Sequence, residues 1–156
     1  GWAESGREGG MPQAFSNMMT PVLALVAWTL VMWVWLYVRR IPAMRRAGID
    51  PAKIKGSETY ASMPPLDPKA VWVSDNFTHL HEQPTIFYAL CVYSHLVGVF
   101  DEFNIALAWL YVALRVVHSL VQVITNYVPL RFMIFMAGSV VLTVITIRNV
   151  LGLFGI

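Results

Sequence analysis

The chain has 156 residues, of which 57% are apolar and 13% charged, and its formal net charge is +2. Soluble domains usually carry about a quarter charged residues, so an ordinary water-soluble globule is excluded, and the basic surface is too small for nucleic-acid binding. A single cysteine, Cys91, excludes an intrachain disulfide and any cysteine-based metal or redox motif.

In chain order, residues 1–10 (GWAESGREGG) lack the charged-then-apolar order of a secretory signal. Met11 reads as the natural start behind an appended lead, and one membrane domain is expected over residues 11–156. The first apolar stretch, MTPVLALVAWTLVMWVWLYV at residues 19–38, carries no charge. At 1.5 Å per residue, about 20 residues cross a hydrocarbon core of about 30 Å. Three more stretches follow, from about Leu80 to Phe100, from Asn104 to Ile124, and from Leu130 to about Ile147. The pattern predicts an all-α, transmembrane four-helix bundle. Pro21 and Pro84 suit the first turns of helices, where a missing N–H costs little. Ser74 or Asp75 is expected to cap the second helix and Asn104 the third.

Residues 39–75 form the one long polar connection and hold Arg39, Arg40, Arg45, Arg46, Lys53, Lys55 and Lys69. The next turn has Asp101 and Glu102 but no Lys or Arg. The positive-inside rule therefore places residues 39–75 in the cytoplasm and the Asp101 turn opposite, with Arg148 a minor exception. In a bacterium the membrane would be the inner one. The basic cluster sets topology, with contact to anionic membrane lipids as the alternative.

Ionisable residues inside a span are expensive and usually face a bundle interior or cavity. Counting from the cytoplasmic ends, Glu82 lies about 9 Å along the second helix, with Gln122, His118 and Arg115 about 5, 10 and 15 Å along the third. Arg115, His118 and Gln122 are spaced i, i+3, i+7 and share one stripe, and His79 and Glu82 also share a face. Arg131, Arg39 and Arg40 stand at the cytoplasmic ends of their helices. These placements predict a cleft open to the cytoplasm, richer in arginine than carboxylate, suited to an anionic ligand and an apolar partner from the bilayer. The alternative for Glu82 and Arg115 is an ion pair tying two helices together. No metal site is expected, because His79 and His81 are two apart and point opposite ways on a helix.

The runs HLHEQPTIFYAL, AWLYVALRVVHSLVQ and NYVPLRF resemble the MAPEG family, the membrane-associated proteins in eicosanoid and glutathione metabolism. The resemblance implies a homotrimer with glutathione held between neighbouring subunits. It implies glutathione contacts at Arg39, Glu82, Arg115 and His118, a ligand contact at Gln122, and thiolate stabilisation by Arg131. The implied activity is a glutathione transferase or peroxidase acting on a hydrophobic small-molecule substrate. The other reading is a non-catalytic lipid-binding or scaffold protein. The chain departs from the enzymes' pattern at His79, where an Asn is usual, at Asp75 and Thr78, where arginines stand, and at Phe132, where prostaglandin synthase-like members carry Ser.

Overall fold

The chain alternates long apolar runs with short polar turns, and each run becomes a helix. The computed structural model describes residues 15–56 and 62–156. The lead at residues 1–10 and the start at Met11 lie outside the described residues. Among the described residues the helices are α1 (Met19–Arg46), α2 (Pro68–His79), α3 (Gln83–Leu96), α4 (Glu102–Ile124) and α5 (Val128–Leu153), with a 3₁₀ turn at Pro51–Lys53 after α1. Helices α1, α4 and α5 are long and apolar enough to cross a membrane. The second member of the bundle is α2 and α3 in succession.

This division corrects the single second span expected from about Leu80 to Phe100. Pro84 lacks an N–H, and its ring collides with the carbonyl four residues earlier, that of Leu80, if a helix runs through. The chain therefore stops at His79, turns through Leu80–Glu82 and restarts at Gln83, with Pro84 in the first turn. Helix α3, with 14 residues, reaches about 21 Å, short of a core of about 30 Å. The sequence HLHEQP is thus a break inside the second member and not its beginning.

The boundaries of the polar connection also move. Helix α1 continues to Arg46, past the expected loop start at residue 39 and through Pro42. Its 28 residues measure about 42 Å, so its basic end projects beyond the hydrocarbon. Helix α2 then starts at Pro68, where the Asp67 side chain accepts from the Lys69 N–H at 3.1 Å. Asp67, not Ser74 or Asp75, is the cap, because Pro68 at the first position leaves Lys69 as an early unpaired donor. Asn104 does not cap α4 either. It lies inside the helix, fully buried, and donates to the Val99 carbonyl at 3.2 Å, while Asp101 holds the N-cap position.

The core follows from heptad spacing on α1, whose buried Met18, Leu25 and Met32 are seven apart. That repeat keeps one seam facing the bundle. Helix α1 packs most extensively on α2 and also meets α3 and α4, while α4 packs along α5. Phe87 of α3 stacks on Tyr111 of α4 at 4.6 Å between centroids, and buried Cys91 fills space beside them. Outward, Leu23, Leu30, Val34 and Val38 of α1 stay exposed, a surface suited to lipid and not to water.

A second cluster ties the bundle at the end away from the basic loop. Arg148 Nη2 meets Asp101 Oδ2 at 2.7 Å, and its Nε donates to Asn104 Oδ1 at 2.7 Å. Asn149 Nδ2 donates to Ser94 Oγ at 2.7 Å and to the Ile145 carbonyl at 3.0 Å. The expected exception, Arg148, thus has its partner on the acidic turn of the same end. Asn149→Ala strands a buried Ser94 hydroxyl. It is expected to cost about 1 kcal/mol, read as a lower unfolding midpoint in detergent. Adding Ser94→Ala should recover part of the loss, because two apolar partners leave nothing unpaired. An unchanged midpoint for the single variant would show that this pair contributes no net stability.

Candidate functional site

The break between α2 and α3 builds the site. A helix end leaves its last carbonyls without intrahelical donors. Arg115, from the middle of α4 and only 3% exposed, donates Nη2 to the His79 carbonyl at 3.0 Å. The Glu82 N–H donates to the same carbonyl at 3.2 Å. A guanidinium here also faces the negative end of the α2 dipole. The His79 ring turns to Gln122, with Nδ1 3.3 Å from Oε1, and its centroid lies 6.5 Å from that of His118.

Arg131 approaches from the first turn of α5. Its Nη1 donates to Asn126 Oδ1 in the turn joining α4 and α5. Asn126 has φ 51°, a left-handed conformation that Asn adopts more readily than most side chains. That conformation lets the N–H groups of Thr125 and Asn126 both reach the Val121 carbonyl, at 3.1 and 2.8 Å. One residue therefore closes α4 and also holds the head of Arg131.

On the remaining wall, the Tyr111 hydroxyl donates to Gln83 Oε1 at 3.2 Å, and Gln83 Nε2 donates to Ser139 Oγ at 2.8 Å. Ser139 in turn donates to the Phe135 carbonyl at 3.0 Å.

These walls enclose a pocket of 250 Å³ lined by His79, Glu82, Gln83, Arg115, His118, Val128, Arg131, Phe132 and Phe135. Arg115 Nε, His118 Nδ1 and Arg131 Nε are buried and have no hydrogen-bond partner among the described residues. Each such atom costs about 1–3 kcal/mol while unpaired. The pocket lining thus includes two guanidinium groups and an imidazole, each with one buried nitrogen that lacks a partner among the described residues. Val128, Phe132 and Phe135, on α5 beside Arg131, make the rest of that helix's lining apolar. The N-terminus of α3, at Glu82 and Gln83, adds the positive end of a helix dipole.

Of the residues singled out from the sequence, Glu82, Arg115, His118 and Arg131 line this pocket together. Gln122 stands behind it, 1% exposed, and reaches it through His79. Arg39 lies exposed on α1, outside the pocket of its own chain. No ion pair joins Glu82 to Arg115 among the described residues, because Arg115 is turned to the His79 carbonyl. His81 points away, with Nδ1 2.8 Å from the Phe77 carbonyl. Gln83, Phe135, Tyr111 and Ser139 escaped the sequence reading. For Phe135 and Ser139 the signal was an i, i+4, i+8 stripe with Arg131 on α5.

Three helices fit to span a membrane, with ionisable side chains gathered in a pocket that two of them, α4 and α5, form with the α2–α3 break, define a multi-pass integral membrane protein. The chain matches the MAPEG family over residues 18–151 and belongs to that family. Searches among curated proteins and among solved structures give no significant match.

Arg115→Met removes both the donor and the charge at the end of α2. It is expected to cost about 2 kcal/mol and to speed amide exchange at residues 80–83 more than at the Asn149 end. Arg115→Lys should restore the charge but only part of the protection, since an ammonium lacks the guanidinium's fork. Equal exchange in all three proteins would remove Arg115 from this role.

Proposed function

We propose that the pocket binds glutathione and that the protein is a membrane glutathione transferase or peroxidase acting on lipophilic electrophiles. The observation that carries this reading is the chemistry of the walls. Two guanidinium groups and one carboxylate, with three unpaired buried nitrogens, suit a peptide ligand bearing two carboxylates and one ammonium. Bound glutathione would supply a thiol nucleophile. Arg131 stands at the apolar wall with Nε unpaired, and a cation beside a thiol favours its thiolate form. Arg115 and the α3 N-terminus attract carboxylate, Glu82 accepts from an ammonium, and His118 Nδ1 orients the ligand by a hydrogen bond. Val128, Phe132 and Phe135 receive the apolar part of the electrophile. No covalent bond to the chain is needed.

The family setting supports a homotrimer in which the exposed Arg39 of one subunit reaches the pocket of the next. This arrangement gives the cation at the end of the α1 apolar run a use that it lacks within its own chain. A non-catalytic lipid-binding or scaffold role is the second reading. The exposed Asp75 at the family's arginine position favours it, because a carboxylate there opposes an anionic ligand.

Titration calorimetry of glutathione into detergent-purified protein is expected to show saturable binding that Arg131→Ala weakens about tenfold, the value of one charge-assisted hydrogen bond. Arg39→Ala should weaken it similarly if the neighbouring subunit completes the site. Absence of heat at millimolar glutathione would overturn the assignment and leave the scaffold reading.

A further inference from the structure

Two imidazoles line the pocket, and their surroundings give them different chemistry. His79 Nδ1 lies 3.3 Å from Oε1 of Gln122, a side chain only 1% exposed. A carboxamide oxygen can only accept, so Nδ1 carries the proton. The neutral ring then has its free lone pair on Nε2. That nitrogen takes no hydrogen bond among the described residues. Gln122 stands behind the ring, which leaves the basic nitrogen on the side of the ligand.

His118 differs. Its ring stands edge-on to that of His79, 6.5 Å between centroids, and is almost fully buried. Its Nδ1 has no partner among the described residues, so nothing there accepts from the ring once it gains a proton. An imidazolium buried without an acceptor is costly. His79 keeps the Gln122 acceptor in either charge state. The charged groups lining the pocket with it are Arg115 on α4, Arg131 on α5 and Glu82 at the break, and α1 gives no residue to the lining. Arg40 and Asp75 line a separate cavity, of 370 Å³, between the basic end of α1 and α2. Two guanidinium groups oppose a further cation at His79, so a positive ring there requires an anion in the pocket.

The geometry points to His79 as the general base for the thiol, with Gln122 as its positioning residue, an inference that rests on the glutathione reading. His79 Nε2 takes the thiol proton. The S–H bond breaks, an N–H bond forms, and the electron pair stays on sulfur. Gln122 Oε1 holds the opposite N–H of the imidazolium, and Arg131 answers the charge left on sulfur. His79 later gives the proton to the group displaced from the electrophile.

Two measurements test this role. In ligand-free protein labelled with ¹⁵N-histidine, long-range proton–nitrogen correlation is expected to show His79 protonated at Nδ1 alone. Gln122→Met should give a mixture of both tautomers. A wild-type ring protonated at Nε2 would overturn the inference. The second measurement pairs titration calorimetry of glutathione with the ultraviolet absorbance of its thiolate at neutral pH. His79→Gln keeps the backbone carbonyl that Arg115 uses. It is expected to bind glutathione with a thiolate fraction about tenfold lower, recovered as pH rises. Binding with an unchanged thiolate fraction would overturn this inference alone. Loss of binding only in His79→Gln would make the ring a ligand contact and not the base. No binding to the wild type would overturn the glutathione reading and this role with it.

Discussion

The site depends on one contact, the hydrogen bond from Arg115 to the carbonyl of His79. Pro84 prevents the second member of the bundle from being one continuous helix. A broken helix in an apolar environment leaves carbonyl groups that protein donors must meet, and the Glu82 N–H already reaches that of His79. Arg115 does so from the neighbouring helix. A buried guanidinium is thereby fixed beside the gap that the break opens. Glu82, Gln83 and His79 line that gap because they are the residues at the break itself.

The same contact determines which atoms remain available. With Nη2 on the backbone, Arg115 keeps its Nε unpaired, and Arg131, held through Nη1 by Asn126, does likewise. Each guanidinium is thus anchored by one nitrogen while another has no partner among the described residues. A long charged side chain held in this way keeps its direction without losing its capacity to bind. The Tyr111–Gln83–Ser139 chain stiffens the remaining wall in the same manner, by hydrogen bonds that cross between α3, α4 and α5.

The two cavities occupy different levels and have different character. One is framed by α3, α4 and α5 and combines cationic with apolar lining. The other lies between the basic end of α1 and α2, with Arg40 and Asp75 in its lining. Helix α2 contributes to both, carrying His79 at its end and Ser74 and Asp75 earlier. Its placement follows from the Asp67–Pro68 start, which makes the chain helical well before the apolar run begins.

Much of the architecture was legible in the amino-acid order. Long uncharged runs can satisfy their backbone in a bilayer only as helices, so α1, α4 and α5 follow from composition alone. The stripe of Arg115, His118 and Gln122 is a property of helical period, and all three are buried as that stripe requires. The direction in which each side chain is used was not legible. Spacing put Glu82 and Arg115 at neighbouring depths and allowed an ion pair, yet Arg115 meets the His79 carbonyl, at the point where the helix stops. That Gln122 pairs with the His79 ring was likewise not legible. Gln83, Phe135 and Ser139 carry no charge to mark them. Sequence thus determined which helices form and which faces are polar, since both depend on local period and transfer free energy. Tertiary structure alone decided where a helix breaks, which neighbour meets the freed backbone and which polar atoms are left for a ligand, because these depend on residues far apart in the chain meeting at one point.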